Sequence, residues 1–262
     1  MTRILHLSDP HFGTEQPVLV NQIVTLAQDL HPDLTVISGD LTQRARAGQF
    51  AAARAFANRL PGPVLTVPGN HDMPLYALPL RVLAPFAGYR RAFGANLEPA
   101  VPLPGAVVQG VNTANPRVWK SGRLRQASLA RLRAAFAAAA PGAHRIAVLH
   151  HAPVPAADGT PADMADPAGT LAALAEAGAQ IVLSGHTHMP HSGFAETASG
   201  VLFLQVGTCV STRLKTGTND FAVLDLSASH LRLRSWLAPR GTGFAEAAPQ
   251  LFRRGSAGWQ KG

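Results

Sequence analysis

Short apolar runs that end at small polar residues recur along the chain, and their spacing predicts its elements. "RILHLS" (3–8), "DLTVIS" (33–38) and "PVLTVP" (63–68) have the length and β-branched content of strands. Between them, Val20, Ile23, Val24, Ala27 and Leu30 fall at helical intervals over 17–30, and a second helical pattern covers 47–60. Strand–helix–strand–helix–strand in this order favours parallel pairing with right-handed crossovers. The stretch 74–95 is apolar and basic, with a helical texture that its prolines should interrupt. "GAVVQGVN" (105–112), "RIAVLH" (145–150) and "QIVLSG" (180–185) read as further strands. Helices are predicted at 125–140, where Leu129, Leu132, Ala135 and Phe136 form a stripe, and at 167–178. After residue 200 the texture changes. "VLFLQVG", "DFAVLDLS" and "HLRLRSW" follow one another without helices, which fits a second sheet, and the end, 241–262, reads as a loosely ordered tail beyond a domain spanning 1–240. No solenoid period and no heptad run is present.

Composition narrows the class. With 262 residues, 47% hydrophobic and 15% charged, and a mean hydropathy of +0.08, the chain suits one globular domain with a sizeable core. No apolar run approaches the roughly 18–20 residues of a bilayer span, and "MTRILHLSDP" enters a strand pattern at once, without the look of a signal peptide. The lone Cys209 has no internal disulfide partner and fits a reducing compartment. Together these suggest a cytoplasmic protein. A net charge of +8 favours phosphorylated substrates, nucleic acid or an anionic membrane surface as partners. The arginines are scattered, however, and no basic groove interleaved with aromatics marks a nucleic-acid protein.

The ends of the predicted strands carry the chemistry. The first ends in Asp9 and His11, the second in Asp40, the third in Asn70, His71 and Asp72; two later ones end in His150 and His151, and in His186 and His188. Any one of these is ordinary: Asn and Asp favour turns, and a lone HxH pair is more often surface or satisfied core than ligand. Together they put nitrogen and oxygen donors, and no thiolate, at the carboxyl ends of five strands, where open α/β sheets place their ligands. Such a donor set suits zinc, manganese, iron or cobalt, and it exceeds what one ion needs. Two ions sharing a carboxylate would use it, in the arrangement that suits phosphoryl chemistry.

The motifs "DPH", "GDLT", "GNHD", "HH" and "GHTH", in this order over residues 3–190, resemble the signatures of the calcineurin-like metallophosphoesterases. "GTCVSTR" and "NDFAVLDL" are similar to closing strands of bacterial members. The resemblance implies a four-layer αββα sandwich of two mixed sheets flanked by helices. It implies two divalent ions (Mn, Fe or Zn), with Asp9, His11 and His188 on one, Asn70, His150 and His186 on the other, and Asp40 bridging. His71 would stand beside the scissile phosphate without binding metal, with Asp72 orienting it. The proline of "DPH" replaces a commoner leucine or threonine without losing a needed side chain. In "HHAP" the family pattern favours His150 as ligand and leaves His151 in the outer layer or facing substrate. "GDLTQ" lacks the tyrosine of purple acid phosphatases, which favours two divalent ions.

The implied reaction is phosphate-ester hydrolysis by a hydroxide bridging the ions. A phosphodiesterase similar to bacterial cyclic-nucleotide enzymes is the leading expectation. A nucleotide-sugar lipid pyrophosphatase of the UDP-diacylglucosamine type, peripheral on the inner membrane surface, is the alternative kept by the basic apolar 74–95 stretch and the tail. A nuclease or a noncatalytic scaffold ranks below both. Arg44 and Arg46 behind Asp40, His151, and Arg213 in "GTCVSTRLK" are candidates for substrate contact. In the 74–95 stretch, Arg81, Arg90 and Arg91 stand among Leu, Phe and Tyr; the segment could pack on its own domain, cap the cleft or rest against lipid headgroups. The oligomeric state is not encoded legibly.

Overall fold

The computed structural model describes every residue, Met1–Gly262, and shows two mixed sheets packed face to face with helices outside both. The first sheet begins with parallel strands β1 (Thr2–Leu7), β2 (Leu34–Ile37) and β3 (Val64–Thr66). They are joined by α1 (Pro17–Leu30) and α2 (Ala47–Arg59). Next come α3 (Leu78–Leu83) and α4 (Ala87–Phe93). The second sheet is built from β4 (Ala100–Leu103), β5 (Ala106–Gly110), β6 (His144–His151), β7 (Ile181–Gly185), β8 (His191–Phe194) and β9 (Leu202–Gln205). Its strand order is β4-β5-β6-β7-β9-β8, and α5 (Gln126–Ala137) and α6 (Pro167–Glu176) supply the crossovers. The chain then returns to the first sheet through β10 (Thr218–Leu226), which lies antiparallel to β1. It continues with β11 (His230–Pro239), β12 (Ala245–Glu246), β13 (Gln250–Gly255) and β14 (Gly258–Lys261).

Strand alternation sorts the apolar side chains into layers. In β1, Ile4 points between the sheets while Leu5 and Leu7 point at the outer helices. In β6, Ile146 and Val148 face the other sheet, and Ala147 and Leu149 face α5 and α6. The central strands are therefore apolar on both sides, as expected of strands covered on both faces. The sandwich predicted from the resemblance is present.

Three elements differ from their expectation. The strands after residue 200 do not form a sheet of their own: β9 completes the second sheet and the rest widen the first. Residues 241–262 are not a loose tail. Phe252 of β13 and Trp259 of β14 are buried between the sheets, with 1% and 2% exposure, and their alternation was masked by the arginines and glycines around them. The 74–95 stretch breaks into two short helices at Pro85, and β4 and β8 are edge strands too short and too mixed to stand out. No helix is long and apolar enough to cross a membrane.

The carboxyl ends of β1, β2, β3, β6 and β7 converge on one end of the sandwich. The parallel pairing aligns them: Leu7 stands beside Ile37 and Ile37 beside Thr66, while β7 runs alongside β6.

Candidate metal centre

The loops that leave those strands turn sharply. Of the seven non-glycine residues with positive φ, five are Asp9, His11, Asp40, His186 and His188. Each such conformation costs on the order of 1 kcal/mol or more and persists only where the surroundings impose it. Close approach also demands glycine: a Cβ on Gly69 would overlap the Asp40 carboxylate, and one on Gly185 would overlap Ser8 and Asp9.

The turns gather two clusters of donor atoms. In the first, His11 Nε2 lies 3.0 Å from His188 Nε2, and the Asp9 Oδ1 atom lies 3.5 and 3.2 Å from those two nitrogens. In the second, His150 Nε2 lies 3.3 Å from Asn70 Oδ1 and 3.2 Å from His186 Nδ1. Asp40 belongs to both: its Oδ2 is 3.7 Å from His11 Nε2 and 3.4 Å from His150 Nε2. Two donors each about 2.1 Å from one ion lie roughly 3.0–3.4 Å apart, so these spacings match the edges of two coordination shells that meet at Asp40.

The tautomers agree. His188 Nδ1–H donates to Arg213 O at 2.7 Å, and His150 Nδ1–H donates to Ser38 O at 2.8 Å, so each ring turns a bare Nε2 inward. His186 is reversed: Nε2–H donates to Asp163 Oδ2 at 3.0 Å and Nδ1 faces the cluster. On Asp9, Ser8 Oγ and the His186 N–H occupy Oδ2, while Oδ1 is buried with no hydrogen-bond partner. A buried, unpartnered carboxylate oxygen facing imidazole nitrogens calls for a cation. The residues therefore fit a pair of metal ions.

Charge points the same way. Burial would raise the Asp9 and Asp40 carboxyls, yet the surrounding imidazoles, His188 and His150 foremost, hold both well below the usual range. Burial opposes charge on His150, but Asp40 and Asp9 lift its ring to about 9, so without a cation Nε2 carries a proton that a bound ion would displace. Burial pulls His11 down to about 4 against those carboxylates.

His71 sits at the mouth. Its Nδ1–H donates to Gln43 O at 2.9 Å, which leaves Nε2 outward as an acceptor 3.2 Å from Arg213 Nη1. Arg213 Nη1 also lies 3.5 Å from His11 Nε2 and 3.3 Å from Gln43 Oε1. A cavity of about 180 Å³ opens here, lined by Gln43, Asn70, His71, Met73, Leu75, Trp119 and Lys120.

Three sequence-based expectations need correction. Asp72 does not touch the His71 ring. It accepts from the N–H groups of Leu41, Thr42 and Gly69 and from Thr42 Oγ1, tying the β2 and β3 loops together, and the Gln43 carbonyl orients His71 instead. Of the two places left to His151, the outer layer is the one it takes, and it does not face substrate. A register shift in β6 between Val148 and His151 turns its buried ring to Thr113 Oγ1 and Lys120 O, which take both nitrogens. Arg44 is drawn aside, its guanidinium 5.9 Å from the centre of the Tyr76 ring, and Arg46 stands exposed at the N-cap position of α2. The residue missed is Asp163, which holds His186; it lies in a loop without any motif.

Comparison with known proteins agrees with this geometry. Residues 2–190 match the calcineurin-like phosphoesterase family, and the chain belongs to it. A glycerophosphodiester phosphodiesterase, GpdQ of Enterobacter lignolyticus, is 32% identical over 82 residues; that match covers 26% of this chain and 29% of GpdQ. A dimetal phosphatase from Danio rerio shares the fold at a TM-score of 0.65 and 13% identity, over 88% of this chain and 95% of that one. A purple acid phosphatase from yellow lupin does so at 0.65 and 12%, over 89% and 51%. Vacuolar protein sorting 29 of Cryptosporidium parvum is similar at 0.56 and 14%, over 96% and 98%.

Proposed function

We propose that the chain is a phosphodiesterase that works with two divalent ions. Asp9, His11 and His188 would hold one, Asn70, His150 and His186 the other, and Asp40 both. The observation that carries this reading is Asp40 Oδ2 standing between two separate histidine clusters. Such a pair, when bound, binds phosphoryl oxygens and acidifies water.

The chain's own groups do the rest. The Arg213 guanidinium and the outward Nε2 of His71 stand side by side at the mouth. A phosphate entering between them takes N–H donors from Arg213 at a position where negative charge grows during attack. It also separates the two side chains. Protonated at Nε2, His71 can then deliver that proton to the departing oxygen while Gln43 O fixes its ring. Asn70 presents Oδ1 to the second cluster, and its backbone runs into His71, whose N–H donates to Asp40 Oδ1 at 2.8 Å. In this reading one turn would carry the metal ligand Asn70 and the proton donor His71 and steady the bridging Asp40 through its backbone.

A diester rather than a monoester is favoured by the partial likeness to a glycerophosphodiester phosphodiesterase and by the small number of cations at the mouth. Arg213 and Lys120 serve one phosphate charge without the arginine cluster that a dianion would draw. Turnover of a chromogenic diester, a chromogenic monoester, cyclic AMP and a nucleotide-sugar pyrophosphate, each with manganese and with zinc, tests the reading. Diester hydrolysis should exceed monoester hydrolysis about tenfold or more in kcat/KM, roughly the worth of one charge-assisted contact. Preference for the monoester would refute it.

A further inference from the structure

Helix α3 is built inside out. A surface helix normally buries its apolar stripe and exposes its charges. Here Leu78, Leu80, Val82 and Leu83 are exposed, the last two by 73% and 82%, and the buried residue is Arg81. Its guanidinium donates to Pro116 O, Val118 O and Pro74 O and lies 4.8 Å from the centre of the Trp119 ring. Arg81 thus bolts α3 to the 116–119 loop, which exposes Val118 and Trp119, and Tyr76 is exposed just before the helix. Seven of the molecule's eleven exposed large apolar side chains fall in these two joined segments. A soluble surface rarely tolerates such a patch without a partner, and the buried arginine holds this one in place.

The patch borders the metal centre. Trp119 and Lys120 line the cavity that His71 and Asn70 also line, and Leu75 and Met73 carry its apolar wall out to Tyr76. Its charge identifies the occupant. Residues 73–97 and 111–125 contain seven Arg and Lys and no Asp or Glu; Arg81 and Arg125 are turned onto backbone carbonyls, and the other five are exposed. Arg117 and Lys120 flank the exposed Val118–Trp119 pair and Arg44 stands over Tyr76, while the acids nearby are engaged: Asp163 approaches Lys120 at 3.8 Å, Glu98 pairs with Arg131 at 2.6 Å, and Asp72 is buried against backbone N–H groups. A second copy of the chain would set this positive rim against another like it. An anionic phospholipid layer supplies both what the side chains lack, an acyl region for the leucines and headgroup phosphates for the cations.

We propose that α3 and the 116–119 loop dock the protein onto an anionic phospholipid surface, with the mouth of the metal centre held at headgroup depth. Its substrates are then phosphodiesters carried by that surface; this substrate assignment, though not the docking, rests on the phosphodiesterase reading. Lipid attachment needs no turnover, so the test separates the two. Metal-loaded wild-type protein and the variant Val82→Glu/Leu83→Glu are sedimented with vesicles of phosphatidylcholine alone and with added phosphatidylglycerol, at low and high salt. The wild type should partition onto the phosphatidylglycerol vesicles at least about tenfold more than onto phosphatidylcholine, and less so at high salt. The variant should lose about tenfold or more while keeping its metal content and melting temperature. Equal wild-type partition onto the two vesicle types would overturn the proposal even if the variant folded poorly. So would undiminished binding by the variant, or a wild-type dimer that the variant dissolves.

Discussion

The His186 ring is pinned at both nitrogens, by Asp163 on one side and by the donor cluster on the other. Carboxylates that hold a ligating imidazole in this way fix its tautomer and raise its basicity. Asp163→Ala should weaken the second cluster's ion by about 10–100-fold, measured by metal titration, and leave the first cluster's affinity within a few-fold. Equal loss at both would show that Asp163 acts on the whole loop and not through His186. Asp220 offers a second residue-level test. Burial pushes its carboxyl up to about 7, while Gly207 N–H at 2.7 Å only partly offsets this. A carboxyl raised in the folded state favours folding below its unfolded value near 3.8 and disfavours it as pH climbs through 7. In metal-free protein, Asp220→Asn should therefore gain stability relative to wild type between about pH 4 and 7, by up to about 4 kcal/mol. A pH-independent difference in urea midpoints would contradict the assignment. The candidate ligands were legible because each lies within a few residues of a strand end, where a short motif carries both the turn and the donor. The contacts that orient them were not. Ser38 O and Arg213 O, which hold His150 and His188, are backbone carbonyls, as is Gln43 O, which holds His71; they leave no trace in side-chain identity, and Asp163 reaches His186 from a loop with no regular pattern.

Elements with a strong period were readable, and those whose burial depends on distant partners were not. The strands β1, β2, β5, β6 and β7 announce themselves through apolar runs because both faces are covered. The strands β13 and β14 bury one residue each among arginines and glycines, and only the pairing of β13 with β11 and of β14 with β13, at the outer edge of the first sheet, makes them strands. Their contribution should be large nonetheless. Trp259 fills the gap between the sheets with 2% exposure and packs 5.3 Å from the His144 ring. Trp259→Ala should cost about 3–5 kcal/mol in urea unfolding. A loss under 1 kcal/mol would mean that the last hairpin is an ornament on the first sheet and not part of its core. The same reasoning explains α3: its composition suggested a helix of some kind, but only the three carbonyls that receive Arg81 decide which side faces out.

Across the whole molecule, two sheets bring their parallel strands to one end, and the donors of each cluster come from both. The first ion's candidates leave β1 and β7, and the second's leave β3, β6 and β7; Asp40 from β2 stands between them. The sandwich must therefore be assembled before either cluster exists, and metal binding should report on the folded state as a unit. The most direct test of this account is the number of transition ions held per chain, determined by elemental analysis after dialysis against chelated buffer. Wild type should retain two. Asp40→Ala should bind fewer than one at matched concentration, because both shells lose a shared oxygen, whereas His71→Ala should keep two and turn over about 10²–10⁴-fold more slowly. A single ion in the wild type, or two in Asp40→Ala, would contradict the shared centre on which the proposed chemistry depends.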